Sequence, residues 1–174
     1  SYDENKRWPD GLSPFGFKVV KEMNKQGVMI DISHVSDAAF MKVLELSDAP
    51  VVATHSSLRH FTPGWERNVS DEMLIALAEN GGVIQLCFGS DFVANRKDNP
   101  DIQVSVKNVV DHIDRVRDLV GIDHVGFGSD FDGEVPLPED INDVSKFPNL
   151  IEELLMRGYT ESEIDKILNG NILR

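Results

Sequence analysis

Two histidines stand where a metal ion could use them. Val28-Met29-Ile30-Asp31-Ile32-Ser33 is a β-type run that stops on His34, and Pro50-Val51-Val52-Ala53-Thr54 is another that stops on His55. A third run, His124 to Ser129, stops on Asp130. Polar, ligand-type residues at the C-terminal ends of successive apolar strands are how a (β/α) barrel builds a metal site. Neutral imidazole binds zinc at ~2.0–2.1 Å, so two imidazoles on one rim make half of a zinc shell, and sharing one ion requires ring nitrogens within ~5 Å. Asp130 could join as a ligand, or as the base that handles the proton of a metal-bound water. By spacing alone, hydrogen-bonding histidines at strand ends remain an equal reading.

The loop from Ser56 to Val69 brings Arg59 and Arg67 to the same rim. A guanidinium beside a metal would clamp a substrate carboxylate through two parallel hydrogen bonds, although loop arginines are usually just solvated. Asp132, in Asp132-Gly133, reads as turn chemistry. His112 reads as helix surface or core and His124 as the start of a strand. Cys87 lies in the apolar run Val83 to Phe88 and reads as a buried small hydrophobe. Gly126-x-Gly128 falls inside a strand, and no glycine-rich phosphate loop accompanies it.

The elements that must position these residues alternate. Helices are predicted over Pro14 to Gln26, after the cap Ser36, from Asp71 to Asn80 after the cap Ser70, and from Val106 to Val120. Strands are predicted at Val28–Ser33, Pro50–Thr54, Val83–Phe88 and His124–Ser129. After a loop from Gly133 to Lys146 come two helices, the second opened by the capping box Thr160-x-x-Glu163. Strand–helix alternation of this kind implies an α/β fold with parallel strands. Four strands are half of the eight that close a barrel. The expectation is therefore a single partial domain over residues 1–174, the C-terminal half of a (β/α)₈ barrel. An open half-barrel would expose sheet edges and apolar surface, so its outer strands should pair with a missing N-terminal half or a second copy.

Composition narrows the partners. The 174 residues carry 30 acidic groups against 17 Lys plus Arg, a formal net charge of −13. That argues against a nucleic-acid surface, which needs basic patches. One cysteine gives no internal disulfide framework. No run approaches the ~20 apolar residues of a membrane span, and nothing assigns a compartment.

Several motifs, in order, resemble the renal, or membrane, dipeptidase family of zinc peptidases. They are Asp10-Gly11-Leu12-Ser13-Pro14-Phe15-Gly16, Asp31-Ile32-Ser33-His34-Val35-Ser36, Thr54-His55-Ser56-Ser57, Arg67-Asn68-Val69-Ser70-Asp71, Gly128-Ser129-Asp130-Phe131-Asp132-Gly133 and Gly170-Asn171-Ile172-Leu173-Arg174. The resemblance implies a homodimeric amidohydrolase-like barrel with two zinc ions that hydrolyses dipeptides through a metal-bound hydroxide. It implies His34 and His55 as ligands of one zinc, Arg67 as the holder of the substrate carboxylate, and Asp130 as the catalytic proton carrier. Arg59 stands where relatives often have a basic residue and is assigned to substrate binding. The family's first-strand His-x-Asp pair, its metal-bridging glutamate and a further upstream histidine have no counterpart here. The isolated chain is therefore expected to be inactive. Two other readings stay open: a catalytically incomplete half-barrel that only binds, and a related amidohydrolase acting on a non-peptide amide.

Overall fold

Short polar side chains start the helices. In the computed structural model, which describes residues 8–174, Ser13 caps α1 (Pro14–Gln26), Ser36 caps α2 (Asp37–Leu46) and Ser70 caps α3 (Asp71–Glu79), each through its hydroxyl oxygen. An oxygen there accepts a backbone N–H that the first turn leaves without a partner. Capping boxes start α5 (Val106–Val120), through Ser105 and Asn108, and α7 (Glu161–Asp165), through Thr160 and Glu163. The loop after residue 89 holds one further short helix, α4 (Ser90–Val93), and α6 (Phe147–Met156) precedes α7.

Three strands, β1 (Val52–Ser56), β2 (Val83–Cys87) and β3 (Val125–Ser129), pair in parallel in the order β1-β2-β3. Parallel neighbours need crossovers, and α3 and α5 supply them. Both faces of a parallel strand are usually covered. Here the helices bury Phe40, Leu74, Leu77, Val109, Ile113, Leu150 and Leu154 in one core with Ile84, Leu86 and Val125 of the sheet. The result is an α/β fold with a parallel sheet and helices. No described helix is long and apolar enough to cross a membrane.

Two differences from expectation have physical causes. The strand predicted at Val28–Ser33 is reduced to one bridge, Asp31 to Val52, with the Ile32 N–H and the Ile30 carbonyl bonded to Val52. Among the described residues it lies on the sheet's edge with a strand neighbour on one side only, and its first residues Val28 and Met29 stand more than half exposed. His124 belongs to a 3₁₀ turn (Ile122–His124) just before β3, where its Nδ1 lies 2.8 Å from the Gly82 carbonyl.

The sheet curls strongly. A Cβ added to Gly128 on β3 would stand 2.2 Å from the Thr54 carbonyl oxygen on β1, although β2 lies between those strands. Only glycine allows so close a backbone approach. The curl draws the strand ends together at one rim.

Candidate functional site

His34, His55 and Arg67 meet at that rim. Nε2 of His34 lies 2.8 Å from Nε2 of His55. The strand-end spacing alone carries this convergence, because the segments bearing them are bridged neighbours. Arg67 reaches in from the loop, its Nη2 3.1 Å from His34 Nε2 and also bonded to the His55 carbonyl, its Nη1 2.8 Å from Ser56 Oγ. Arg67 is buried, packs over the Phe92 ring, and its Nε has no hydrogen-bond partner.

Proton counting defines the state of the histidines. A guanidinium only donates, so His34 Nε2 must accept from Arg67. Thr54 Oγ1 stands 2.6 Å from Asp31 Oδ2 and 2.8 Å from His55 Nδ1. A hydroxyl has one proton, and the carboxylate can only accept, so Thr54 donates to Asp31 and accepts from His55 Nδ1–H. Neutral His55 then carries no proton on Nε2. The two Nε2 atoms, neither of which carries a proton, face one another at 2.8 Å. Two ligands on a tetrahedral zinc would stand about 3.3 Å apart, from bond lengths of ~2.0–2.1 Å. The pair fits one cation with little movement. Among the described residues no third His, Cys, Asp or Glu converges to complete such a shell.

Electrostatics favours a neutral His34. Burial pushes the His34 pKa below its ordinary value, and the charges of Arg67 and His55 push it the same way. Asp130 and Asp31 oppose them without prevailing. Burial acts to raise the Asp31 carboxyl, but hydrogen bonds from Thr54 and Ser33 outweigh it and hold the group below the usual carboxylate value.

Asp130 is on the same rim, and its charge is felt at His34. Three non-glycine residues around the site have positive φ: His34 at 65°, Ser129 at 34° and Asp130 at 69°. Such conformations cost about 1–3 kcal/mol each and persist where surrounding structure holds them. A Cβ on Gly133 would stand 2.3 Å from Asp130 Oδ1, so the turn closes directly over that carboxylate. On its other side the Cys87 thiol donates to Asp130 Oδ2 at 3.7 Å. That thiol is buried, and burial pushes its pKa up to about 12.

A cleft of 590 Å³ opens beside His34 and Arg67, walled by Trp65 and Phe92, with Lys97 adding a second cation. Arg59 does not line it. Its guanidinium holds both Asp37 oxygens at 2.8 Å and the carbonyls of Asn68 and Glu66. Asp37 lies twenty-two residues away in sequence, so spacing gave no hint of the pair. Sequence reasoning also missed Thr54 and the part Asp31 plays. The available signal was the polar i, i+2 pair Asp31 and Ser33 inside an apolar run.

The chain has relatives. A family model described as "Membrane dipeptidase (Peptidase family M19)" matches residues 1–174. The chain is 40% identical over 164 residues to Dipeptidase 3 of Mus musculus, covering 94% of this chain and 32% of that protein. It superposes with a TM-score of 0.85, at 36% identity, on a metallo peptidase from Rhodobacter sphaeroides liganded with a phosphinate mimic of the dipeptide L-Ala-D-Ala, covering 94% of this chain and 46% of that one. An amidohydrolase from Pseudomonas aeruginosa matches with a TM-score of 0.82 at 30% identity, over 94% of this chain and 56% of that one. The chain thus spans about a third of the mouse relative and about half of each solved structure. With the family model matching from end to end, the chain belongs to the membrane dipeptidase family, M19.

Proposed function

We propose that this chain supplies two metal-binding histidines, an anion clamp and a proton carrier to a zinc-dependent dipeptidase, and that its curled sheet is an arc of a (β/α)₈ barrel. The observation that carries the reading is the pair of unprotonated Nε2 atoms 2.8 Å apart. Neither Nε2 has a proton to give the other, and one cation could be shared by both. His34 and His55 would hold the ion, with the rest of the shell coming from a further segment of the protein or from a second copy. Zinc bound there, as a pair of ions in the assembled enzyme, would supply a nucleophile by lowering the pKa of water toward ~7 and would polarise a carbonyl oxygen.

The chain's own residues do the rest. Arg67 presents a fixed positive charge at the cleft wall and binds the C-terminal carboxylate of the substrate, which limits length to two residues. Arg59 serves substrate binding indirectly, by ordering the loop that carries Arg67. Asp130, held against Cys87 and the Gly133 turn, takes a proton at its carboxylate and delivers it to the leaving amine. Trp65 and Phe92 shield this chemistry from water.

The test uses the whole protein, stripped of metal and titrated with zinc. Zinc-dependent cleavage of dipeptides, with tripeptides refused, is the expected result. Failure to cleave any dipeptide with zinc bound overturns it. The likeness to the Pseudomonas amidohydrolase makes N-acyl amino acids the second substrate class to assay. Faster turnover of those would move the reading to a non-peptide amide.

A further inference from the structure

The geometry points to Asp31 and Thr54 as positioning residues that set which nitrogen of His55 carries its proton, so that the Nε2 lone pair is free at the rim. The inference rests on the zinc reading above for its purpose, but not for its geometry. Asp31 Oδ1 accepts from the N–H groups of Ser33 and Thr54, at 2.9 and 3.2 Å. Its other oxygen takes the Thr54 hydroxyl proton at 2.6 Å. Thr54 Oγ1 then has only lone pairs left for His55 Nδ1, 2.8 Å away. The His55 backbone is tied as well, its N–H donating to Ser33 Oγ at 3.1 Å. A carboxylate thus acts on an imidazole through one intervening hydroxyl. Partners of this kind normally contact a metal-binding histidine directly, and their loss costs about 10–100-fold in metal affinity.

The relay can be reversed by one atom. In Asp31→Asn the amide oxygen stays with the two backbone N–H groups, which places the NH₂ against Thr54 Oγ1. That NH₂ can only donate, so Thr54 must turn its own proton toward His55 Nδ1. His55 then carries its proton on Nε2, aimed at His34 Nε2. The two rings hydrogen-bond to each other and the cation's place is filled. Asp31→Asn should therefore do more than remove a charge; it should invert the tautomer. Thr54→Val removes the relay without inverting it, and Thr54→Ser restores it.

The experiment has two readouts on the whole protein. Imidazole ¹⁵N NMR of the metal-free protein at neutral pH reads the His55 tautomer, and zinc affinity is measured by chelator competition. Wild type and Thr54→Ser should show Nδ1–H. Asp31→Asn should show Nε2–H, and Thr54→Val should lose the preference. Zinc affinity should fall about 10–100-fold in Asp31→Asn and Thr54→Val and stay near wild type in Thr54→Ser. His55 found as Nε2–H in the wild type overturns the inference. So does an Asp31→Asn protein with unchanged tautomer and zinc affinity. A wild type that shows the tautomer and its inversion yet takes up no zinc leaves the proton assignment standing and sinks the proposed function instead.

Discussion

His112 and the His34–His55 pair show two ways for a fold to treat an imidazole. His112 is fully buried on α5. The Leu58 N–H donates to its Nδ1 at 3.0 Å, so its own proton sits on Nε2 and goes to the Val93 carbonyl at 3.2 Å. Every proton has an acceptor. At the rim two unprotonated nitrogens face each other, one of them already accepting from Arg67, beside a buried Arg67 Nε without a partner. His34 also sits at positive φ. A closed set of hydrogen bonds locks a core, whereas two unprotonated nitrogens set face to face on strained backbone mark a place suited to a cation. One histidine holds the structure, and the pair is held by it.

The contrast is sharpest in the effects of substitution. The largest expected effect is at Asp130, the strained end of the rim. Asparagine keeps its shape and tolerates positive φ, so Asp130→Asn should fold normally and keep its zinc. Its kcat should fall by roughly 10²–10⁴, the range for a lost acid–base group. Wild-type turnover would exclude Asp130 as proton carrier, and loss of zinc would recast it as a ligand.

Next comes a double dissociation. His112→Ala strands a buried N–H and a buried carbonyl and should cost about 2–4 kcal/mol in urea unfolding, with zinc uptake unchanged. His55→Ala should abolish tight zinc binding while moving the stability of the metal-free protein by less than about 1 kcal/mol. Equal destabilisation by the two variants would erase the distinction.

Acid should expose the same difference. Burial holds His112 near a pKa of about 4, against 6.5 for a free imidazole. Below pH 6.5 the unfolded chain takes a proton that the folded core refuses. The contribution of His112 to stability is therefore full above that value and declines as pH falls toward 4, by up to about 3 kcal/mol. Unfolding curves between pH 4 and 7 would show the slope, and His112→Asn should flatten it. An unchanged slope in that variant would place the acid sensitivity elsewhere.

The smallest effect is expected at Arg67→Lys. A lysine keeps the charge and loses the fork, so kcat/KM for dipeptides should drop by about tenfold, mainly through KM. Equal kinetics across dipeptides would show that Arg67 only braces His34 and Ser56.

Much of this was legible in the sequence because it was local. Ser36, Ser70 and the Thr160-x-x-Glu163 box marked helix starts correctly, since a cap's partner is three residues away. The convergence of His34 and His55 was legible because both sit at the ends of adjoining parallel segments. The predicted first strand shrank to a bridge at Asp31 because propensity does not report whether a run has neighbours on both sides. The partner of Arg59 was illegible for a related reason: Asp37 lies on α2, and only the folded chain brings them together. The proton relay was invisible, because a threonine beside a histidine is ordinary until a carboxylate from another segment claims its hydroxyl.

Gly128 contributes no donor, acceptor or charge, yet the backbone that touches it on β1 belongs to Thr54. Any side chain there must push that carbonyl aside, and with it the hydroxyl that decides where the His55 proton sits. In a saturation scan scored by zinc retention, position 128 should therefore cluster with 31, 34, 54 and 55. A chemically silent residue would carry the mutational fingerprint of a ligand.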